Sequence, residues 1–357
     1  MLDNLDGTSG SSGFPGTATL PNTVVNGGYV TPAAASATAA AQAANPVVST
    51  ITVQAASGDA IFKLELDAKA AAAPAAYISG FTTAATLLSE AIHDPITVNL
   101  EIGYTEFPED NSPIASDLAL GGDASNSIAT YSQLKSFLSA TGASDVVSAL
   151  AALPNTSSLN GVTNFSVASA QEKVFGQISS SATAIDGYVG FGSGFGNFIV
   201  GAALHEFTHA MGRLVGDSVL SLFRYTSPGT HYFGDSIPAP ATYFSVDGGK
   251  TALADFGKNS DPADFLNNSL TPNDPFNEIV GGNSLTALDR TILDMLGFGG
   301  SGLSPPPPPP PPPVAPVVNV QNVSVPAGGW IPGASLIISV SNPSGDVITA
   351  YEFEDEG

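Results

Sequence analysis

From Ser49 onward the apolar positions begin to repeat, and STITVQAA alternates as a strand does. A period near 3.6 then runs through Ala75, Ala76, Ile78, Phe81, Ala85, Leu88 and Ile92 and stops at His93-Asp94-Pro95. That pattern predicts a long amphipathic helix ended by a proline, with His93 favoured near its C-terminus by the helix dipole. Ile96, Val98, Leu100 and Ile102 next fall on one face of a half-buried strand that runs to Tyr104. Helix followed by strand opens an α/β layer.

A polar stretch, 106–126, separates this unit from two helical segments that start at Tyr131 and Ala143 and end by Pro154. A third helix is expected over 169–178, and 184–193 reads as a strand loosened by glycines. Directly behind it, 198–213 gives the strongest helical signal in the chain, with Asn197 placed as its N-cap. Beyond Arg213 prolines and glycines punctuate a loop-rich region, and a last helix is expected over 284–296, closing at Gly297. Nine consecutive prolines, Pro305 to Pro313, form an extended spacer. The expected organisation is a Gly/Ser/Ala-rich disordered leader over 1–48, whose Ala tract from Ala33 to Ala44 reads alternatively as a covering helix. A globular domain follows over 49–300, then a polyproline linker over 301–316 and an incomplete β-sandwich-like module over 317–357 with Trp330 in its core.

Charge narrows the partners. Only 11% of the 357 residues are charged, 9 Lys plus Arg against 32 Asp plus Glu, for a net charge of −23. Such a field repels phosphate backbones, so nucleic acid and anionic membranes are excluded as expected partners. There are no cysteines, which removes disulfides, thiol nucleophiles and thiolate metal ligands. No run of about 18 apolar residues is present, so no membrane-spanning helix is expected. The first thirty residues have neither a basic region nor an apolar core of signal-peptide type. No sequence pattern specifies an oligomeric state.

One constellation carries chemistry: His205-Glu206-Phe207-Thr208-His209, on the best helix. Spacing i, i+4 places both imidazoles on one helical face, where they can grip a single Zn²⁺, with Glu206 beside it as general base for a water. Gly212 follows His209 by three residues. Together these residues resemble the HExxHxxG start of the metzincin zinc peptidases. Ser221-Leu-Phe-Arg-Tyr225 resembles the Ser-x-Met-x-Tyr turn of astacins and serralysins, with Phe223 in the place of methionine. The segments TVNLEIGY, HEFTHAMGR, SLFRYTSPG, YFSVDGGKT and LDMLGF resemble, more closely, a serralysin-related group of bacterial metalloproteases across roughly residues 60–298.

The resemblance implies an α/β (α+β) metzincin-like catalytic domain with a mixed sheet and an HExxH active-site helix. It implies a zinc endopeptidase acting on peptide or protein substrates, with Tyr225 reaching the metal or the oxyanion, and it places the substrate-binding edge strand at 188–193. A metzincin also has His or Asp three residues after the glycine, and here Val215 stands there. Asp217 is the first candidate for the third ligand and His231 the second. Asp247, Asp255, Asp261, Asp264, Asp274 and Asn277 lie in loops where they are either solvated turn residues or structural Ca²⁺ ligands, with no EF-hand spacing.

The stretch 336–355 is similar to the start of tandem β modules in large secreted bacterial proteins, which commonly leave the cell by type I secretion. That likeness implies an extracellular protein whose export signal is C-terminal and uncleaved, and a module that continues past Gly357. Two rivals to the peptidase are a catalytically inactive metzincin-like surface or adhesion module, and a zinc hydrolase acting on glycans.

Overall fold

In the computed structural model the described residues are 45–279, 281–300, 317–320 and 337–341, with Ser324, Pro326 and Gly329. Residues 1–44 of the expected leader, the proline run and Trp330 lie outside them. The chain divides into two units, 1–307 and 308–357. In the second, β14 (Val317–Val320) and β15 (Ile337–Ser341) pair antiparallel. The first unit carries all the candidate chemistry.

Its elements run β1 (Ser49–Val53), β2 (Ile61–Leu66), α1 (Ala68–Ala71), α2 (Ala75–Ala91), β3 (Thr97–Tyr104), β4 (Glu106–Phe107), β5 (Ser112–Pro113), β6 (Ala119–Asp123), β7 (Asn126–Thr130), α3 (Tyr131–Ala140), α4 (Ser144–Ala151), β8 (Asn164–Ala168), α5 (Ser169–Val174), β9 (Gly187–Phe191) and α6 (Ile199–Ala210). After a 3₁₀ turn at Leu220–Phe223 come β10 (Arg224–Ser227), β11 (Thr230–His231), β12 (Tyr243–Phe244), β13 (Ala254–Asp255) and α7 (Ala287–Leu293), which runs on into a π turn at Asp294–Phe298. None of the described helices is long and apolar enough to cross a membrane.

The fold is α+β around a mixed five-stranded sheet of order β1-β2-β3-β9-β6. β2, β3 and β9 run parallel, while the outer strands β1 and β6 are antiparallel to their neighbours. β3 is buried on both faces rather than half-buried. The polar face survives burial through its donors: Asn99 Nδ2 donates to the Ala182 and Ala184 carbonyls, and the Asn99 amide donates to Asp186, which also holds the buried Lys173. β2 alternates cleanly, with Phe62, Leu64 and Leu66 inward.

Helices α2 and α6 pack on the sheet and on each other. Gly80 makes the approach possible, since a Cβ there would lie 2.5 Å from the Ile199 side chain. The expected edge strand at 188–193 is corrected by the topology. β9 is an interior strand, with β3 on one side and β6 on the other. Among the described residues the edge beyond β9 belongs to β6, in the stretch expected to be polar loop, because Ala119–Asp123 adds antiparallel along all five residues of β9. A smaller sheet, β11-β10-β12-β13, follows the site helix.

Candidate metal centre

Helix α6 buries every residue except Val200, so the polar side chains it carries, His205, Glu206, Thr208 and His209, stand inside the protein rather than in bulk water. One of its first free amides is held from outside. Asn283 Oδ1 accepts from the Gly201 amide at 2.9 Å and Asn283 Nδ2 donates to the Asn197 carbonyl at 3.1 Å. The expected cap, Asn197, makes no side-chain capping bond. It lies in the 3₁₀ turn Gly196–Phe198 that precedes the helix.

The other end closes by a Schellman pattern: the Gly212 amide donates to His209 O at 2.9 Å and the Arg213 amide to Thr208 O at 2.9 Å. Gly212 takes φ +108°, and a Cβ there would meet Gln171 at 2.7 Å. Helix and sheet touch backbone to backbone, for a Cβ on Gly121 of β6 would lie 2.3 Å from Glu206 O. The HExxH turn is thereby set against this edge strand.

Both histidines point the same nitrogen inward. His205 Nδ1 lies 2.8 Å from Pro275 O and His209 Nδ1 lies 2.8 Å from Arg213 O. A carbonyl only accepts, so each Nδ1 carries its hydrogen and each Nε2 presents a lone pair. The two Nε2 atoms are 3.0 Å apart, and Asp264 Oδ1 is 2.9 Å from each. Three electron-pair donors thus converge with all three residues buried. Such a triangle requires a cation, either a shared proton or a metal ion. Burial lowers the His205 pKa, but the Asp264 carboxylate more than offsets it and the net shift is upward. Burial, with Arg213 nearby, takes His209 down to about 3. Burial likewise opposes ionisation of Asp264, and the two imidazoles nevertheless hold it well below the usual carboxylate range.

Asp264 is placed by irregular β pairing. Phe265 bridges Phe256 on one side and Asn277 on the other, the Gly257 amide donates to Asp264 O at 2.7 Å, and the Asp264 amide donates to Asp261 O at 3.1 Å. The same loop region supplies Pro275, whose carbonyl orients His205. Neither residue expected to complete the site is brought to the histidines. Asp217 is solvent-exposed, and its contribution is a main-chain carbonyl that accepts from the Ser166 amide at 2.6 Å. His231 is buried on β11, its ring 4.1 Å from that of Tyr225. Asp264 had only its membership in an acid-rich loop to mark it, because it lies 55 residues beyond His209 and no local spacing connects them.

No protein-family model, curated protein or solved structure matches this chain.

Glu206 is 2% exposed, and its Oε1 has no hydrogen-bond partner among the described residues. Burial raises its pKa to about 7, with the Asp264 carboxylate adding to the rise. An acidic group poised there can take up and return a proton near neutral pH. Tyr225 is 1% exposed on β10, and a Cβ on Gly249 would touch its ring at 2.7 Å. Burial pushes its phenol pKa up, so it remains a neutral donor. Asp261, next to the cluster, is raised to about 6 by burial and by Asp264. The donor set of two imidazoles and one carboxylate suits Zn²⁺ among the common biological cations, and hard Ca²⁺ poorly.

Proposed function

We propose that this chain is a zinc-dependent endopeptidase of metzincin type, in which His205, His209 and Asp264 hold the metal and Glu206 is the general base. The observation that carries this reading is the convergence of three lone-pair donors at 2.9 to 3.0 Å, with both Nδ1 hydrogens already committed to carbonyls. Bound zinc would supply Lewis acidity to the scissile carbonyl and the attacking water. Glu206, one residue from His205, takes the proton from that water and delivers it to the leaving amine. Tyr225, to which the resemblance gives the oxyanion, packs its ring against His231 and Tyr243 on the smaller sheet and makes no hydrogen bond or ring contact with His205, Glu206, His209 or Asp264 among the described residues. The outer edge of β6 supports an extended peptide as an added strand, running past Gly121 and hence past Glu206. An extracellular protein using a zinc site built without thiols also accords with the absence of cysteine.

Glu206→Gln is the test. Zinc content and far-UV circular dichroism should be unchanged, while casein hydrolysis falls by at least ~10²-fold. Unaltered hydrolysis by the purified variant would refute the assignment.

A second reading rests on the burial of the donors, of which His205 and Asp264 are 0% exposed and His209 1%. A metal enclosed in this way would serve structure, making the chain an inactive surface module. That reading predicts one zinc per chain, a large loss of thermal stability on chelation, and no hydrolysis of any peptide library.

A further inference from the structure

A histidine ligand at position 215 would be placed by the helix turn itself, whereas Asp264 must be brought from a distant loop and its charge kept in a dry pocket. One side chain meets both needs. Arg213 is wholly buried, the residue directly after Gly212. Its Nε donates to Thr208 Oγ1 at 3.0 Å and its Nη2 to His205 O at 3.4 Å, both on the site helix. Its Nη1 donates to Ala263 O at 2.8 Å and to Asp264 Oδ1 at 3.4 Å, and the guanidinium lies 4.6 Å from the centroid of the Phe276 ring, beside Pro275. Its own carbonyl fixes the His209 tautomer. Each of its four hydrogen bonds joins a ligand, or a residue adjacent to one, to the turn that ends α6.

We infer that Arg213 is the positioning residue that lets Asp264 stand where a metzincin has its third histidine. Its fork spans α6 and the 263–264 loop, holding the carboxylate against both Nε2 atoms before any metal arrives. This rests on the metal assignment above. A lysine keeps the charge but offers one compact ammonium in place of a planar fork, and cannot make the four donations together.

The test is zinc titration by competition with a chromophoric chelator, together with the ligand-field absorption of the Co²⁺-loaded protein. It compares the full chain, Arg213→Lys, Arg213→Met and a stability control, Leu134→Ala, whose buried side chain lies on α3. Both Arg213 variants should weaken zinc binding by ~10 to 100-fold and alter the Co²⁺ spectrum, the range found when outer partners of metal ligands are removed. Leu134→Ala should lower Tm and leave affinity and spectrum unchanged. Arg213→Lys with unaltered affinity and spectrum would overturn the inference, as would equal loss in Leu134→Ala, which would reduce the effect to general destabilisation. Failure of the unaltered chain to bind zinc would instead remove the metal assignment on which the inference stands.

Discussion

Asp264 places one formal negative charge where two imidazole lone pairs already face each other, and an isolated carboxylate in such a place would cost several kcal/mol. Arg213 offsets that charge within the protein, and a divalent ion would complete the balance. Asp264→Ala should therefore abolish stoichiometric zinc binding, with an affinity loss above the ~100-fold typical of outer-sphere changes. Asp217→Ala should leave zinc affinity within about twofold, since that side chain faces solvent. Isothermal titration of the two variants separates them, and the reverse order would return the third ligand to the turn after Gly212. Gly212 is equally exacting in backbone terms. With φ at +108° and Gln171 in the path of a Cβ, Gly212→Ala should cost about 1 to 3 kcal/mol in urea unfolding.

At the level of elements, long periodic segments were legible from the sequence and pairings between distant segments were not. α2 runs over Ala75–Ala91 as the apolar spacing predicts, and α6 carries the HExxH pattern on one face. β6 escaped because Ala119-Leu-Gly-Gly-Asp123 has no alternation to read. It is a strand because β9 offers an open edge and because its glycine lets α6 approach. The cap of α6 escaped for a related reason: Asn283 reaches it from 82 residues downstream of Gly201. Asn283→Ala should lower stability by about 1 kcal/mol, measurable as a shift of the urea midpoint at constant slope.

The start of α7 carries a titration as well. Asp289 accepts from the Thr286 amide at 2.7 Å, and the Thr286 hydroxyl also donates to Asp274 at 3.1 Å, so two buried carboxyls meet at one threonine. Burial and the Asp274 carboxylate push Asp289 up to about 8. A carboxyl with a folded-state pKa above its unfolded value of about 4 stabilises fully below that value, and the contribution is lost as pH rises towards 8. Thermal stability should accordingly fall between about pH 5 and about pH 8, and Asp289→Asn, whose amide can donate to Asp274, should flatten that slope. A slope equally steep in the variant would assign the pH dependence to other groups.

Across the whole molecule, the residues proposed for metal binding and catalysis span 205 to 264, all within the first unit, and the Gly300 amide closes that unit's described part by donating to Asp94 at 3.2 Å. A chain ended after Gly300 should retain full zinc stoichiometry and a Tm within a few degrees of the parent. The net charge of −23 adds a long-range term: acidic peptides should be cleaved more slowly than basic ones at low ionic strength, with the difference shrinking as salt is added. The central claim is the composition of the metal centre, and a crystal structure of the zinc-loaded chain recorded at the zinc absorption edge tests it most directly. The expected result is one anomalous peak about 2.0 to 2.2 Å from His205 Nε2, His209 Nε2 and an Asp264 oxygen. A peak bound through Asp217 or His231, or no peak at the two histidines, would contradict it.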